Sequence, residues 1–325
     1  MRIIIYGAGA IGGVIGGHLA RSGQDVVFIG RQKNVDAINL NGLRLVTYSQ
    51  TYTLPVAAVT SPAELEITPD DVVFLSVKGQ NTEETLRDLQ AVNRDVPVFC
   101  FQNGIRNEEI ASGYFPRVYG VMVRVGATYL KDGEVESHHE PNGWLLMGRY
   151  PRGTDALVEA VAEKLRAADF YVKVSDDVMP YKWGKLLANL SNGVRAICDC
   201  TEPEVAPVID AAREELRGLL QEAGIPWKTD KDLAREWDAL SVPTKGNFGP
   251  NSKGSGWQSL ARQSGGIEVD FLNGEAVRLA QKLHRTAPVN EKVIGICKEM
   301  ARKREVPGKY TPDQLAALVG LKLPG

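Results

Sequence analysis

The chain reads as an α/β protein, with a doubly wound, mostly parallel sheet at its N-terminus and a mostly α-helical domain after it. Three observations predict this. A glycine-rich turn joins a strand to a helix within the first dozen residues, and strands and helices go on alternating through about the first hundred. From about Val178 the apolar period becomes helical.

At 325 residues the length suits two domains of roughly 100–200 residues each. Hydrophobic residues make up 43% and charged residues 24%, enough for a real core under a solvated surface. The formal net charge of −2 supplies no basic field to hold DNA or RNA by counterion release, so a nucleic-acid partner is not expected. No apolar run approaches the ~20 residues that span a bilayer. Met1-Arg2-Ile3-Ile4-Ile5 enters a glycine-rich turn too soon to form a signal-peptide core. Cys100, Cys198, Cys200 and Cys297 are few for such a chain, and Cys198-x-Cys200 is too tight for the usual zinc knuckle. The expectation is a cytoplasmic protein without a membrane anchor or structural metal. His138-His139 has no evident third ligand and reads as a surface loop in a hairpin region.

Taken in order, residues 2–6 (Arg-Ile-Ile-Ile-Tyr) form a short buried strand, followed at once by Gly7-Ala8-Gly9-Ala10-Ile11-Gly12. Val14, Ile15, His18 and Leu19 give the next helix an apolar face, and Ser22-Gly23 ends it. Asp25 to Gly30 is a second strand, so residues 2–30 make one βαβ unit. Asp71 to Val77 and Val96 to Phe101 are further strands, with a helix from Thr82 to Leu89 between them. Residues 117–150 turn strand-rich, with Val118 to Val125, Thr128 to Leu130, a turn at Lys131-Asp132-Gly133, and Trp144 to Met147. They read as antiparallel ribbons closing the sheet. Beyond a domain boundary placed near Ser175, giving 1–175 and 176–325, helices are expected over Asp210 to Ala223, Glu268 to His284 and Glu291 to Lys303. Residues 242–256 form a loop rich in glycine and proline. The apolar helices of the second half could bury a homodimer interface.

The glycine turn carries the first chemistry. A lone GxGxxG is weak, but this one sits between strand and helix inside a βαβ unit, as in a Rossmann-type dinucleotide site. Gly7 allows the tight turn, Gly9 the approach of a pyrophosphate, and Gly12 close packing of helix on strand. The N-terminus of that helix, with Ala10 and Ile11, then aims at the phosphates. Where an NAD-binding unit usually places an acid, at the end of the second strand, this chain has Gly30-Arg31, then Gln32 and Lys33. A guanidinium pairs with a 2′-phosphate that a carboxylate would repel, so NADP(H) is the expected cofactor. The alternative is that Arg31 is a solvated surface charge. Lys78 and Asn103-Gly104 each follow a strand, at the carboxyl end where doubly wound sheets bind ligands, though either could be an ordinary loop residue.

Residues 179–193 form the candidate catalytic helix. Lys185 and Asn189 are four apart on one face, with Lys182 beside them. A lysine and an amide among apolar neighbours could donate to the carbonyl and carboxylate of one substrate; the bland reading is a solvated helix face.

Several segments in order resemble the ketopantoate reductase (2-dehydropantoate 2-reductase) family. They are Gly7-x-Gly9-x-x-Gly12, Gly30-Arg31, Val77-Lys78-Gly79, Gln102-Asn103-Gly104, Trp183-x-Lys185-Leu186 with Asn189, Ser255 before Trp257-Gln258, Glu268 through Gly274, and Pro288-Val289-Asn290. The resemblance implies an N-terminal Rossmann domain, a helical C-terminal domain, and NADPH-dependent reduction of ketopantoate to pantoate, as in pantothenate and coenzyme A biosynthesis. It implies Lys185 as catalytic lysine and Glu268 as its acidic partner. Asn103, Asn189 and Ser255 would contact substrate, while Arg31 and Lys78 would bind NADPH. Without the resemblance, Glu268 would read as a charge favourable to its own helix dipole. The chain departs from the family where a second asparagine is expected four residues beyond Asn189: Gly193 stands there, and Asn192 lies one place away on another face unless the helix bends. One extra residue separates Ser255 from Glu268, around Gly265-Gly266. Both departures fall on the substrate side, so the alternatives are reduction of another small 2-oxo acid, or an NADP(H)-sensing protein without chemistry.

Overall fold

The computed structural model describes residues 1–238, 245–246, 254–263 and 265–321. The chain divides into two compact units. One holds Met1–Tyr181 and the described part of Ala234–Asn247; the other holds Lys182–Leu233 and the described part of Phe248–Gly325. The first unit thus runs past Ser175 and takes back a later segment.

In the first unit, strands β1 (Ile3–Tyr6), β2 (Val26–Ile29), β3 (Leu43–Val46), β4 (Thr51–Leu54), β5 (Ala57–Val59), β6 (Val72–Leu75), β7 (Val98–Cys100) and β8 (Val118–Arg124) are followed by β9 (Ala127–Lys131), β10 (Glu134–Ser137), β11 (His139–Glu140), β12 (Trp144–Arg149) and β13 (Tyr171–Val174). The helices among them are α1 (Ala10–Arg21), α2 (Gln32–Asn41), α3 (Thr82–Val92), α4 (Asn107–Ser112) and α5 (Ala156–Ala167). The main sheet has the order β13-β12-β8-β7-β6-β1-β2-β5. From β5 to β8 every neighbour is parallel, and β12 turns antiparallel against β8. This is the expected α/β fold. Continuous apolar runs suit it, because both faces are covered. Ile3, Ile5, Phe28 and Phe74 face one core; Ile4, Val27, Val73 and Leu75 face the other. The edge at β5 is closed by a side chain: Asn39 Nδ2 donates to the Ala58 carbonyl at 2.8 Å, and its Oδ1 accepts from the Ala58 N–H at 3.1 Å.

The strand-rich stretch differs in part from expectation. β8 pairs antiparallel with β12, as expected of a ribbon closing the sheet, but its other edge joins the parallel strands through β7, as its nearly complete burial requires. The β9–β10 hairpin leaves that sheet for a four-stranded one, ordered β4-β3-β10-β9. This smaller sheet rests on α1, so closely that a Cβ on Gly13 would lie 2.5 Å from Val135 Cγ1. His138 lies in the link between β10 and β11, half-buried, and only His139 leaves the expected loop for a strand. His138 Nε2 lies 2.8 Å from Thr128 Oγ1, and His139 pairs in β11 with β14 (Lys245–Gly246).

From Met179 on, the elements are α6 (Met179–Asn189), α7 (Ser191–Cys198), α8 (Ala206–Glu222), α9 (Asp230–Asp238), α10 (Ser255–Ala261), α11 (Asn273–Lys282), α12 (Pro288–Arg302) and α13 (Pro312–Val319). Two expectations are corrected. The helix expected from Glu268 begins at Asn273; Glu268–Phe271 is a separate 3-10 turn, and Leu272 (φ −118°, ψ −91°) breaks the path between them. The helix over 179–193 is interrupted at Leu190. Of the glycine-rich 242–256 loop, 242–244 and 247–253 lie outside the described residues. No described helix is long and apolar enough to cross a membrane.

Candidate active site

Parallel pairing gathers four of the expected site segments. Asn103 follows β7, Lys78 follows β6, the glycine turn follows β1 and Arg31 follows β2, and these strands are consecutive in the sheet. Their carboxyl ends therefore lie side by side on one edge, where doubly wound folds bind ligands.

Each glycine of the turn has its own reason. Gly7 adopts φ +117°, and a Cβ there would fall 2.6 Å from Val77 N. A Cβ on Gly12 would lie 2.2 Å from both the Gly7 carbonyl and Ser76 Oγ. Around Gly9 a Cβ would meet nothing within 4 Å, so open space lies in front of α1. Gly9 caps α1 without a side-chain hydrogen bond, and the first turn, with Ala10 and Ile11, holds no acid. Its N–H groups are left for an anion, and the helix dipole favours one. Arg31, exposed at the N-cap of α2, makes no ion pair with a described residue. An open cradle, an uncapped helix start and an available guanidinium fit a dinucleotide.

Buried hydrogen bonds hold these loops. Ser76 Oγ donates to the Gly7 carbonyl at 2.9 Å, tying the end of β6 to the glycine turn. Gln102 Nε2 donates to the Val77 carbonyl and to Thr82 Oγ1, both at 2.8 Å. Thr82 Oγ1 donates to Asn107 Oδ1 at 2.8 Å, and Asn107 Nδ2 to the Asn103 carbonyl at 2.9 Å. This relay, whose Gln102, Thr82 and Asn107 side chains are buried, locks the Lys78 and Asn103 loops to each other, and Gly104 (φ +84°) makes the turn after Asn103. Ser76, Thr82 and Asn107 escaped the sequence reading, since no spacing rule marks a residue that serves only by bonding to loops distant in sequence.

The second unit carries Lys185, Asn189, Ser255 and Glu268. Lys185 is half-buried on α6, Asn189 is the last residue of that helix, and Ser255 is the first of α10. Glu268, 9% exposed, opens its 3-10 turn. Lys182 is no part of a solvated face: only 3% of it is exposed. Past Leu190, Asn192 faces α10. Its Nδ2 reaches Ser255 Oγ at 3.5 Å, a long contact, and a Cβ on Gly254 would lie 2.8 Å from its Oδ1. Gly193 faces the other way. A Cβ there would stand 3.2 Å from Cys297 Sγ and 3.4 Å from Val293 Cγ1, both on α12. The late motifs are architectural: Asn273 Nδ2 donates to Asn290 Oδ1 at 2.9 Å, and Glu215 of α8 accepts the N–H groups of Val289 and Asn290 at the start of α12.

Comparison with known proteins agrees with both units. Residues 3–152 match the family model described as ketopantoate reductase PanE/ApbA, and residues 177–301 match its C-terminal counterpart. The 2-dehydropantoate 2-reductase of Pyrococcus horikoshii is 30% identical over 89% of this chain and 94% of its own length. That of Archaeoglobus fulgidus is 29% identical over 91% and 96%. Among solved structures, a PanE/ApbA family ketopantoate reductase from Ralstonia eutropha superposes with a TM-score of 0.79 at 27% identity, covering 94% of this chain and 99% of that one. A D-mandelate dehydrogenase solved with NADH and anilino(oxo)acetate has the same fold, with a TM-score of 0.80 at 21% identity and coverage of 94% and 99%. The chain belongs to the ketopantoate reductase family of oxidoreductases.

Proposed function

We propose that this protein reduces ketopantoate to pantoate with NADPH, in the cytoplasm. The observation that carries the reading is the unbroken row of site loops on neighbouring strand ends, with Arg31 where an acid would select NAD. When bound, NADPH would supply the hydride. Gly7, Gly9, Ala10, Ile11 and Gly12 would hold its pyrophosphate, Arg31 its 2′-phosphate, and Lys78 and Asn103 would flank it. Lys185 donates a hydrogen bond to the substrate carbonyl oxygen, stabilises the negative charge that grows there, and gives up a proton to the alkoxide. Glu268 orients that ammonium or accepts from the substrate hydroxyl. Asn189 and Ser255 hold the carboxylate end, with Asn192 beside Ser255 as a further donor.

A second reading, reduction of another small 2-oxo acid, draws on the same substrate-side geometry. Position 193 is packed against α12, and the amide that meets Ser255 comes from position 192. The test follows absorbance at the nicotinamide band with ketopantoate, pyruvate and 2-oxoisovalerate, each with NADPH and with NADH. Turnover confined to ketopantoate and NADPH is expected. Faster turnover of another acid moves the function to the second reading, and tight NADPH binding without turnover of any acid makes the protein a sensor.

A further inference from the structure

Asn34 has no part in the proposed chemistry, yet its buried side chain ties the glycine turn to a distant hairpin. It lies in the first turn of α2, three residues after Arg31, and only 4% of it is exposed. Its Nδ2 donates to the Ala8 carbonyl at 2.8 Å, and its Oδ1 accepts from the Gly133 N–H at 2.7 Å. Its own N–H donates to the Arg31 carbonyl at 3.0 Å. The side-chain amide therefore joins two segments, the glycine turn and the β9–β10 hairpin turn, from a position in α2 whose backbone N–H bonds back to Arg31. The hairpin is itself pressed on this region. Gly133 adopts φ +76°, and a Cβ there would lie 3.0 Å from Ala37 Cβ of α2.

The two groups that would hold the two ends of a phosphorylated dinucleotide's adenosine half are thus spaced through Asn34. The Ala8-Gly9 peptide faces the pyrophosphate position and Arg31 the 2′-phosphate position. Loss of the Asn34 donor leaves the buried Ala8 carbonyl without this partner, which frees the turn to rotate and dissipates its preorganisation. We infer that Asn34 is the positioning residue of the dinucleotide site, fixing the glycine turn relative to Arg31 and coupling both to the small accessory sheet. This inference rests on the dinucleotide reading proposed above.

The test is direct binding of NADPH and NADH by fluorescence titration, alongside steady-state kinetics, for wild type, Asn34→Ala and Asn34→Asp. Asn34→Asp keeps the acceptor for the Gly133 N–H and the side-chain shape, but exchanges the donor to Ala8 for a carboxylate oxygen with its charge, whereas Asn34→Ala removes both bonds and adds no charge. Both variants are expected to raise the Kd for NADPH roughly tenfold, the order expected for one lost hydrogen bond behind a site. kcat at saturating dinucleotide and KM for the 2-oxo acid should stay at wild-type values. Gly133→Ala, which strains the hairpin turn far from any phosphate, should shift the same Kd in the same direction. Wild-type Kd values in Asn34→Asp, with or without a lower Tm, would make Asn34 a purely structural residue and overturn the inference. Failure of the wild type to bind NADPH would remove the dinucleotide reading itself, and the inference with it.

Discussion

The two candidate regions are built on opposite principles. At the sheet edge of the first unit the site is shaped by what is missing: Gly7, Gly9 and Gly12 have no Cβ, and one added at 7 or 12 would strike backbone. In the helical unit the site is shaped by packing, which sets Asn192 against Ser255 and Gly193 against α12 just past the interruption at Leu190. Backbone geometry forced by glycine is local and readable from spacing. The direction of a side chain past a helix break depends on what packs against it.

Substitutions can set the two regions apart. The largest effect is expected at Lys185: Lys185→Ala should lower kcat by at least about 10²–10³, the usual loss on removing a preorganised electrostatic donor. NADPH affinity, a property of the sheet edge, should hardly move. Stopped-flow turnover with parallel binding titration checks this, and equal rates in the two proteins would remove Lys185 from the chemistry.

Arg31→Ala is the complementary cut. It should weaken NADPH roughly tenfold or more, as for a lost charge-assisted pair, with NADH binding unchanged. A parallel loss for both dinucleotides would show that Arg31 does not read the 2′-phosphate.

Positions 192 and 193 sharpen the contrast within the helical unit. Gly193→Asn should cost about 1–3 kcal/mol of stability, because the new side chain is driven into Cys297 and Val293, and it should not improve catalysis. Asn192→Ala should instead raise KM for the 2-oxo acid several-fold with little change in Tm. Thermal melts and Michaelis curves for the pair decide between them, and the reverse pattern would restore position 193 to the substrate.

The smallest effect lies in the first unit, away from both sites. His18, on α1, is fully buried edge-on to Phe170, and its ring nitrogens have no hydrogen-bond partner among the described residues. Burial first, and the nearby Arg21 second, push its pKa down from 6.5 to about 3. Between those values the unfolded chain binds a proton that the folded chain refuses. The stability is therefore fully present above pH 6.5 and falls as the pH drops through that window, by at most about 1.4 kcal/mol per unit. His18→Leu should flatten this acid slope in urea melts run between pH 7 and pH 5. An unchanged slope would assign the acid sensitivity to other groups.

Much of the first region was legible. The strand, glycine turn and helix over residues 2–21, the strand ending at Gly30-Arg31, and the places of Lys78 and Asn103 all follow from apolar runs bounded by turn residues. The smaller sheet was not legible, because Leu43–Val46 and Glu134–Ser137 pair across some ninety residues and only packing on α1 brings them together. Glu268 was placed on a long helix from its periodicity. The break at Leu272 puts it on a 3-10 turn, so the argument from a helix dipole loses its helix.

By itself the sequence determined the first βαβ unit, the strands that end at Val77 and Phe101, and the glycine turn with the arginine after the second strand. Those features rest on short-range sterics, since a backbone at φ +117° admits little but glycine and a buried parallel strand admits little but apolar residues. Tertiary structure alone decided which polar side chains brace the loops and which amide meets Ser255. A hydrogen bond between residues dozens of positions apart leaves no periodic trace in the chain, and neighbouring helix residues differ in direction by about 100°, so which of them meets a partner depends on what packs against the helix.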